Sequence, residues 1–161
     1  MEKMATRWMH WIYGAAVVIV LFTGFGNMPL WGRYYIADIP GLGWSGNFYL
    51  NLQVHLLIGA VLLGLAAYSL IAHIYARRDG ARLSPSGSVR ASLLSLALAS
   101  GLLLAVRNLS GIRFPFEFQV GLVFFHMGIA MAFMIASITC LVARCKWIKD
   151  AGPPLSENSH P

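Results

Sequence analysis

Residues 49–75 read YLNLQVHLLIGAVLLGLAAYSLIAHIY, and this stretch decides the fold. A helix needs roughly 20 apolar residues to cross a hydrocarbon core, and this run is long enough. It nevertheless holds two histidines, His55 and His73. An ionisable side chain inside a membrane helix is costly and requires a reason. The two lie 18 residues apart, about five turns at 3.6 residues per turn, so they project from one face. Roughly 27 Å of helix axis separates them, most of a hydrocarbon core of about 30 Å. One helix thus offers an imidazole near each face of a bilayer.

Working outward, three more segments reach or approach span length: about Trp8 to Met28, Val89 to Val106 and Phe118 to Val142. None shows the short alternating pattern of a membrane barrel. Hydrophobic residues make up 58 % of the chain and charged residues 11 %, against about 25 % charged in soluble proteins. The expectation is an all-α integral membrane four-helix bundle over residues 1–150, followed by a flexible tail at 151–161. That leaves little chain for a soluble catalytic domain.

The net charge of +6 is no nucleic-acid signal, because the basic residues are sorted by loop. Lys3 and Arg7 precede the first span, Arg77, Arg78, Arg82 and Arg90 follow the second, and Arg144, Lys146 and Lys149 follow the fourth. The opposite side carries Arg33, Arg107 and Arg113. The positive-inside rule places both termini in the cytoplasm of a multi-pass inner-membrane protein. The basic start followed by an apolar run resembles a signal peptide, but the run is of span length and no small-residue cleavage site follows it. Cys140 and Cys145, five residues apart, do not share a helix face well and read as small apolar residues in a reducing compartment.

The loops carry their own signals. Pro29 to Phe48 is long for a bundle and holds Trp31, Tyr34, Tyr35 and Trp44. It reads either as an interfacial aromatic belt, with a short helix on the membrane, or as a docking surface for a partner. Arg77 to Ser88 reads as an irregular turn, with Ser88 able to cap the third span. That span has no histidine, and Ser92, Ser95, Ala99 and Ser100 mark it as closely packing scaffold.

Chain direction pairs the histidines. The first span runs outward, so His10 is near the cytoplasmic side with His73. The fourth runs inward, so His126 is near the outer side with His55. Of the three pairings of these four residues, only His10 with His73 and His55 with His126 matches depth. A structural zinc site wants four converging ligands, commonly including Cys or carboxylate, and these cannot all converge. Two axial imidazoles across a bundle suit a six-coordinate haem iron, so two haem b groups are expected, an inner and an outer. Gly14 and Gly59, each four residues after a proposed ligand, would let a flat macrocycle approach the backbone. Arg7, Arg77, Arg33, Arg107 and Arg113 are available to pair with propionates, or mark the membrane border.

Arg7-Trp8-Met9-His10-Trp11, the later Thr23-Gly24-Phe25 and His55-Leu56-Leu57-Ile58-Gly59 carry a family resemblance. The chain resembles the di-haem cytochrome b subunits of membrane-bound formate dehydrogenases, nickel-iron hydrogenases and related oxidoreductases. The resemblance covers the four-span plan. It implies a membrane anchor that passes electrons between a partner redox subunit (an iron-sulfur or cytochrome protein) and quinone or menaquinone. By position, His10, His55 and His126 match the family's ligands on its first, second and fourth spans. The formate dehydrogenase type places a further ligand on the fourth span, where this chain has Cys140, and His73 is inferred to replace it. The quinone has no assigned site: Asn27, Asn51, Gln53, Asn108, Glu117 and Gln119 are candidates near the outer face and Arg77 near the inner. Rival readings are a haem-free transporter or proton relay, and a single-haem or purely structural quinone-binding anchor.

Overall fold

The computed structural model describes residues 2–28, 31, 35–78 and 82–149. Arg33, Tyr34 and the tail beyond residue 149 lie outside the described residues, as do the side chains of Arg7 and Arg77. Four long helices carry the fold: α1 (Glu2–Gly26), α2 (Phe48–Arg78), α3 (Pro85–Val106) and α4 (Phe116–Val142). Each is long and apolar enough to cross a membrane, and the architecture is all-α.

α3 starts earlier than the apolar run suggests. Its cap is Ser84, not Ser88: the Ser84 Oγ accepts from the Gly87 backbone N–H at 2.9 Å. Pro85 follows as the first helical residue, where its fixed φ is preorganised and its missing N–H costs nothing. The Ser-Pro pair that looks like turn punctuation is thus a helix start. Within the connection before it, the two-residue strand β1 (Arg82–Leu83) pairs antiparallel with β2 (Ile148–Lys149) beyond α4. This clip ties the end of α4 to the beginning of α3.

The helices form two hairpins. α1 packs along α2 and α3 along α4, while the contacts between hairpins, mainly α2 with α3 and α1 with α4, are much sparser. Burial is inverted relative to a soluble bundle. Among the described residues the buried apolar side chains are Ala16, Leu62, Leu122 and Phe133. The buried polar ones are Thr23, Ser45, Asn51, Arg90 and Ser100. Large apolar side chains such as Leu57, Leu70, Phe124 and Leu141 line the exterior. Polar groups have to find internal partners when the surroundings are lipid, and this distribution suits a bilayer.

Between α1 and α2, two short 3-10 turns (Ile36–Asp38 and Gly43–Gly46) fold the connection back on the helix end. The Trp31 indole N–H donates to Ser45 Oγ at 2.9 Å, and Trp31 and Trp44 both pack against Phe22 of α1. Part of the expected aromatic belt is therefore a cap on the hairpin, while Tyr35 remains exposed. At the opposite end α4 closes with Arg144 in the left-handed region (φ 52°), and the Cys145 N–H donates to the Cys140 carbonyl at 2.9 Å. This 6→1 closure folds Cys145 back over Cys140. The two cysteines, expected to diverge on a continuous helix, meet because the helix ends between them.

Candidate functional site

Each hairpin supplies one histidine and the residues that hold it. On α1, Thr23 cannot satisfy its hydroxyl in lipid, so it bonds back to its own helix, donating to Ile19 O at 2.8 Å, with Val20 O at 3.2 Å. The same oxygen lies 3.1 Å from Nδ1 of His55 on α2. On α3, Ser100 repeats the arrangement: Oγ is 2.8 Å from Leu96 O, 3.1 Å from Ala97 O and 2.9 Å from Nδ1 of His126 on α4.

Counting hydrogens assigns the tautomer. A hydroxyl has one proton to give and two lone pairs to receive. With that proton directed at the i−4 carbonyl, the oxygen receives Nδ1–H from the imidazole. Both imidazoles thereby carry their hydrogen-bonded proton on Nδ1, which leaves Nε2 as the nitrogen available to a ligand. That is the ligating state of histidine, its tautomer fixed by the partner of the other nitrogen.

A glycine follows each hydroxyl residue and lets the ring approach. A Cβ on Gly24 would lie 3.3 Å from His55 Cε1, and one on Gly101 3.1 Å from His126 Cε1. One turn before His55, Asn51 is fully buried and its amide donates to Thr23 O at 2.9 Å and to Asn27 Oδ1 at 3.2 Å. A Cβ on Gly26 would overlap the Asn51 amide. The Thr23-Gly24-Phe25-Gly26 segment is therefore the floor on which His55 and Asn51 rest.

The two rings face each other across the gap between hairpins, centroids 6.3 Å apart and planes at 84°. A metal–imidazole bond is about 2 Å. With about 1 Å more from nitrogen to ring centre, two imidazoles trans across one ion would hold their centroids roughly 6 Å apart. The observed spacing fits that arrangement. Among the described residues no three His, Cys, Asp or Glu side chains converge on one point, so His55 and His126 are the two side chains that would hold a metal-bearing group here.

The second pair is placed differently. His10 is exposed on α1 and His73 half-buried on α2. Thr23 opposite His55 and Gly26 opposite Asn51 fix the antiparallel register of the hairpin. Carried down both helices, that register sets His10 level with Tyr68, about five residues or 7 Å of axis from His73. Gly14 and Gly59 meet nothing within 4 Å and face open space. The glycines on which a histidine ring rests are Gly24 and Gly101.

Several functional positions escape sequence reading. Ser100 belongs to the site, although α3 carries no histidine and reads as scaffold. Asn27 and Asn51, quinone candidates by position, bond to each other and to α1. The detectable signal was a repeated pair, Thr23-Gly24 and Ser100-Gly101, each a hydroxyl followed by glycine. Beyond the cradle, an open surface cavity of about 310 Å³ is lined by Arg107, Phe116, Gln119, Val120, Val123 and Phe124, of which Phe116 and Phe124 are exposed. Arg107 is seven residues after Ser100 and Gln119 seven before His126, so the cavity continues the same faces about 10 Å further along the helices. No family model, curated protein or solved structure matches this chain.

Proposed function

We propose that this chain is a di-haem cytochrome b membrane subunit that anchors a partner redox protein and passes electrons between it and the quinone pool. The observation that carries the reading is the facing His55–His126 pair, each ring oriented by a hydroxyl so that its bare Nε2 can ligate iron. Haem b bound there supplies reversible one-electron chemistry. The chain's own residues position and insulate. His55 and His126 would hold the iron, Thr23 and Ser100 fix the rings, and Gly24 and Gly101 make room for them. The apolar exterior keeps the site out of water.

The second haem is proposed at His10 and His73, toward the end where α2 turns into α3. Arg82, Arg90, Arg144 and Lys146 gather at that end and Arg107 and Arg113 at the other. This supports both termini being cytoplasmic, with the His55–His126 site near the outer face of an inner membrane. The cavity at Arg107 and Gln119 is a place for a quinone head: one cation and one amide among apolar side chains, adjoining the outer site. The contrast between the two histidine pairs also favours a second reading, a single-haem subunit using His55 and His126 alone.

Haem per polypeptide tests the proposal. The chain, purified in mild detergent, is assayed by pyridine haemochrome and by its reduced-minus-oxidised spectrum. Two low-spin b haems are expected. One haem, lost in His126→Ala and retained in His10→Ala, would establish the single-haem form. A chain folded and free of haem would refute the electron-transfer reading.

A further inference from the structure

Arg90 lies one turn and a half into α3 and is 6 % exposed. Its Nε donates to Ser86 O at 3.2 Å and its guanidinium carbon sits 4.0 Å from the centroid of the Trp147 ring. Its Nη2 is buried and has no hydrogen-bond partner. The Tyr13 hydroxyl of α1 is likewise buried and unpartnered, and lies within the electrostatic reach of Arg90. Two buried donors are thus without acceptors, one of them on a full positive charge.

Among the described side chains no carboxylate compensates them. The described acidic side chains, Asp38 and Glu117, belong to the opposite end of the helices, and Arg90 forms no ion pair among the described residues. A buried guanidinium without a counter-charge is strongly unfavourable, and a planar fork of donors is the natural partner of a carboxylate or phosphate. The surroundings are built rather than incidental. Ser84 N–H donates to Trp147 O at 2.9 Å, and a Cβ on Gly87 would overlap that carbonyl. The β1–β2 clip therefore holds Trp147 over Arg90, shielding the charge from bulk water.

We propose that Arg90 Nη2 and the Tyr13 hydroxyl form an oxyanion-binding site whose ligand is a haem propionate carboxylate. Tyr13 is three residues after His10, on the same face of α1, so a group ligated by His10 would bring its carboxylate to this pair. Tyr13 and Arg90 also lie equally deep, each ten residues before the hydroxyl of its hairpin's cradle (Thr23 and Ser100). The inference rests on the di-haem reading. The same oxyanion chemistry is found in the phosphate of an anionic phospholipid, and the experiment separates the two sources.

Wild type, Arg90→Gln, Arg90→Lys and Tyr13→Phe are purified in mild detergent. Each is assayed for haem per chain, for the midpoint potentials of its haems and for bound phospholipid phosphorus, with helicity as a folding control. Removing the positive charge leaves the propionate's negative charge to favour ferric iron. Arg90→Gln should therefore lower the potential of one haem, or lose that haem, and leave the other unchanged. Arg90→Lys should recover part of the shift, and Tyr13→Phe should move the same haem by less. Unchanged haems with loss of bound phospholipid in Arg90→Gln would keep the oxyanion site and assign it to lipid, overturning the propionate. If wild type holds no haem, the functional reading fails and the propionate with it, and the phospholipid assay alone decides whether an oxyanion site remains. Folded Arg90→Gln and Tyr13→Phe proteins with unchanged potentials and unchanged phospholipid would overturn the site.

Discussion

The two ends of this bundle hold their histidines in opposite ways. At one end His55 and His126 face each other at 6.3 Å, each held through Nδ1 by a hydroxyl and resting on a glycine. At the other, His10 is exposed, His73 is half-buried, and the hairpin register leaves them about five residues apart in depth. What that end has instead is a buried arginine whose Nη2, and a tyrosine whose hydroxyl, lack a hydrogen-bond partner. The first site is preorganised for its ligand by the protein alone. In the proposed reading, the second is completed only by what it binds. Preorganisation in membrane interiors follows from solvation: with no water available, a hydroxyl or imidazole must be satisfied by the chain. Where the chain satisfies it, the geometry is set before any cofactor arrives.

This contrast can be broken by mutation, beginning with the ligands. His55→Ala or His126→Ala should remove the outer haem completely and leave the inner one, halving haem per chain in the pyridine haemochrome assay. Equal loss of both haems would show that the ends are not independent. Next, His73→Ala should remove the inner haem and Cys140→Ala should leave it. The opposite result would return the inner ligand to α4, where the resembled family has it, and end the assignment to His73.

Smaller effects sharpen the comparison. Partners in the outer ligand shell typically contribute 10–100-fold in metal affinity. Thr23→Val and Ser100→Ala should therefore weaken outer-haem retention by about that factor, measured as haem loss on dilution or transfer to apomyoglobin. The inner haem should be unaffected by both. Smallest in its effect on haem is Gly26→Ala, which forces a methyl into the Asn51 amide. Overpacking of this kind costs about 1–3 kcal/mol, so the thermal midpoint should fall while haem per chain stays constant.

Much of this was legible in the sequence, for a physical reason. Helix length, apolarity and the His55–His73 phase depend on geometry within one helix, which 3.6 residues per turn fixes. The expected spans accordingly fall on the four observed helices, with the main correction at Ser84-Pro85, where a cap was taken for a turn. The opposition of His55 and His126 was also reachable, because chain direction brings the first half of α2 level with the first half of α4. The cradle was not. Only the glycine after it distinguishes Ser100, one of several small residues on α3, from Ser92 or Ser95. Its role comes from facing His126 on a different helix. Arg90 was counted by charge as a border residue, and its burial under Trp147 depends on a two-residue strand pair formed across 65 residues of chain.

By itself the sequence determined four apolar helices and their alternating direction, because those are properties of length, composition and helical pitch. Only the tertiary structure decided which glycine lies beneath which ring, which hydroxyl holds which nitrogen and which charge is left without a partner. Those depend on the rotation and register of neighbouring helices, and these are set by side chains meeting across the bundle.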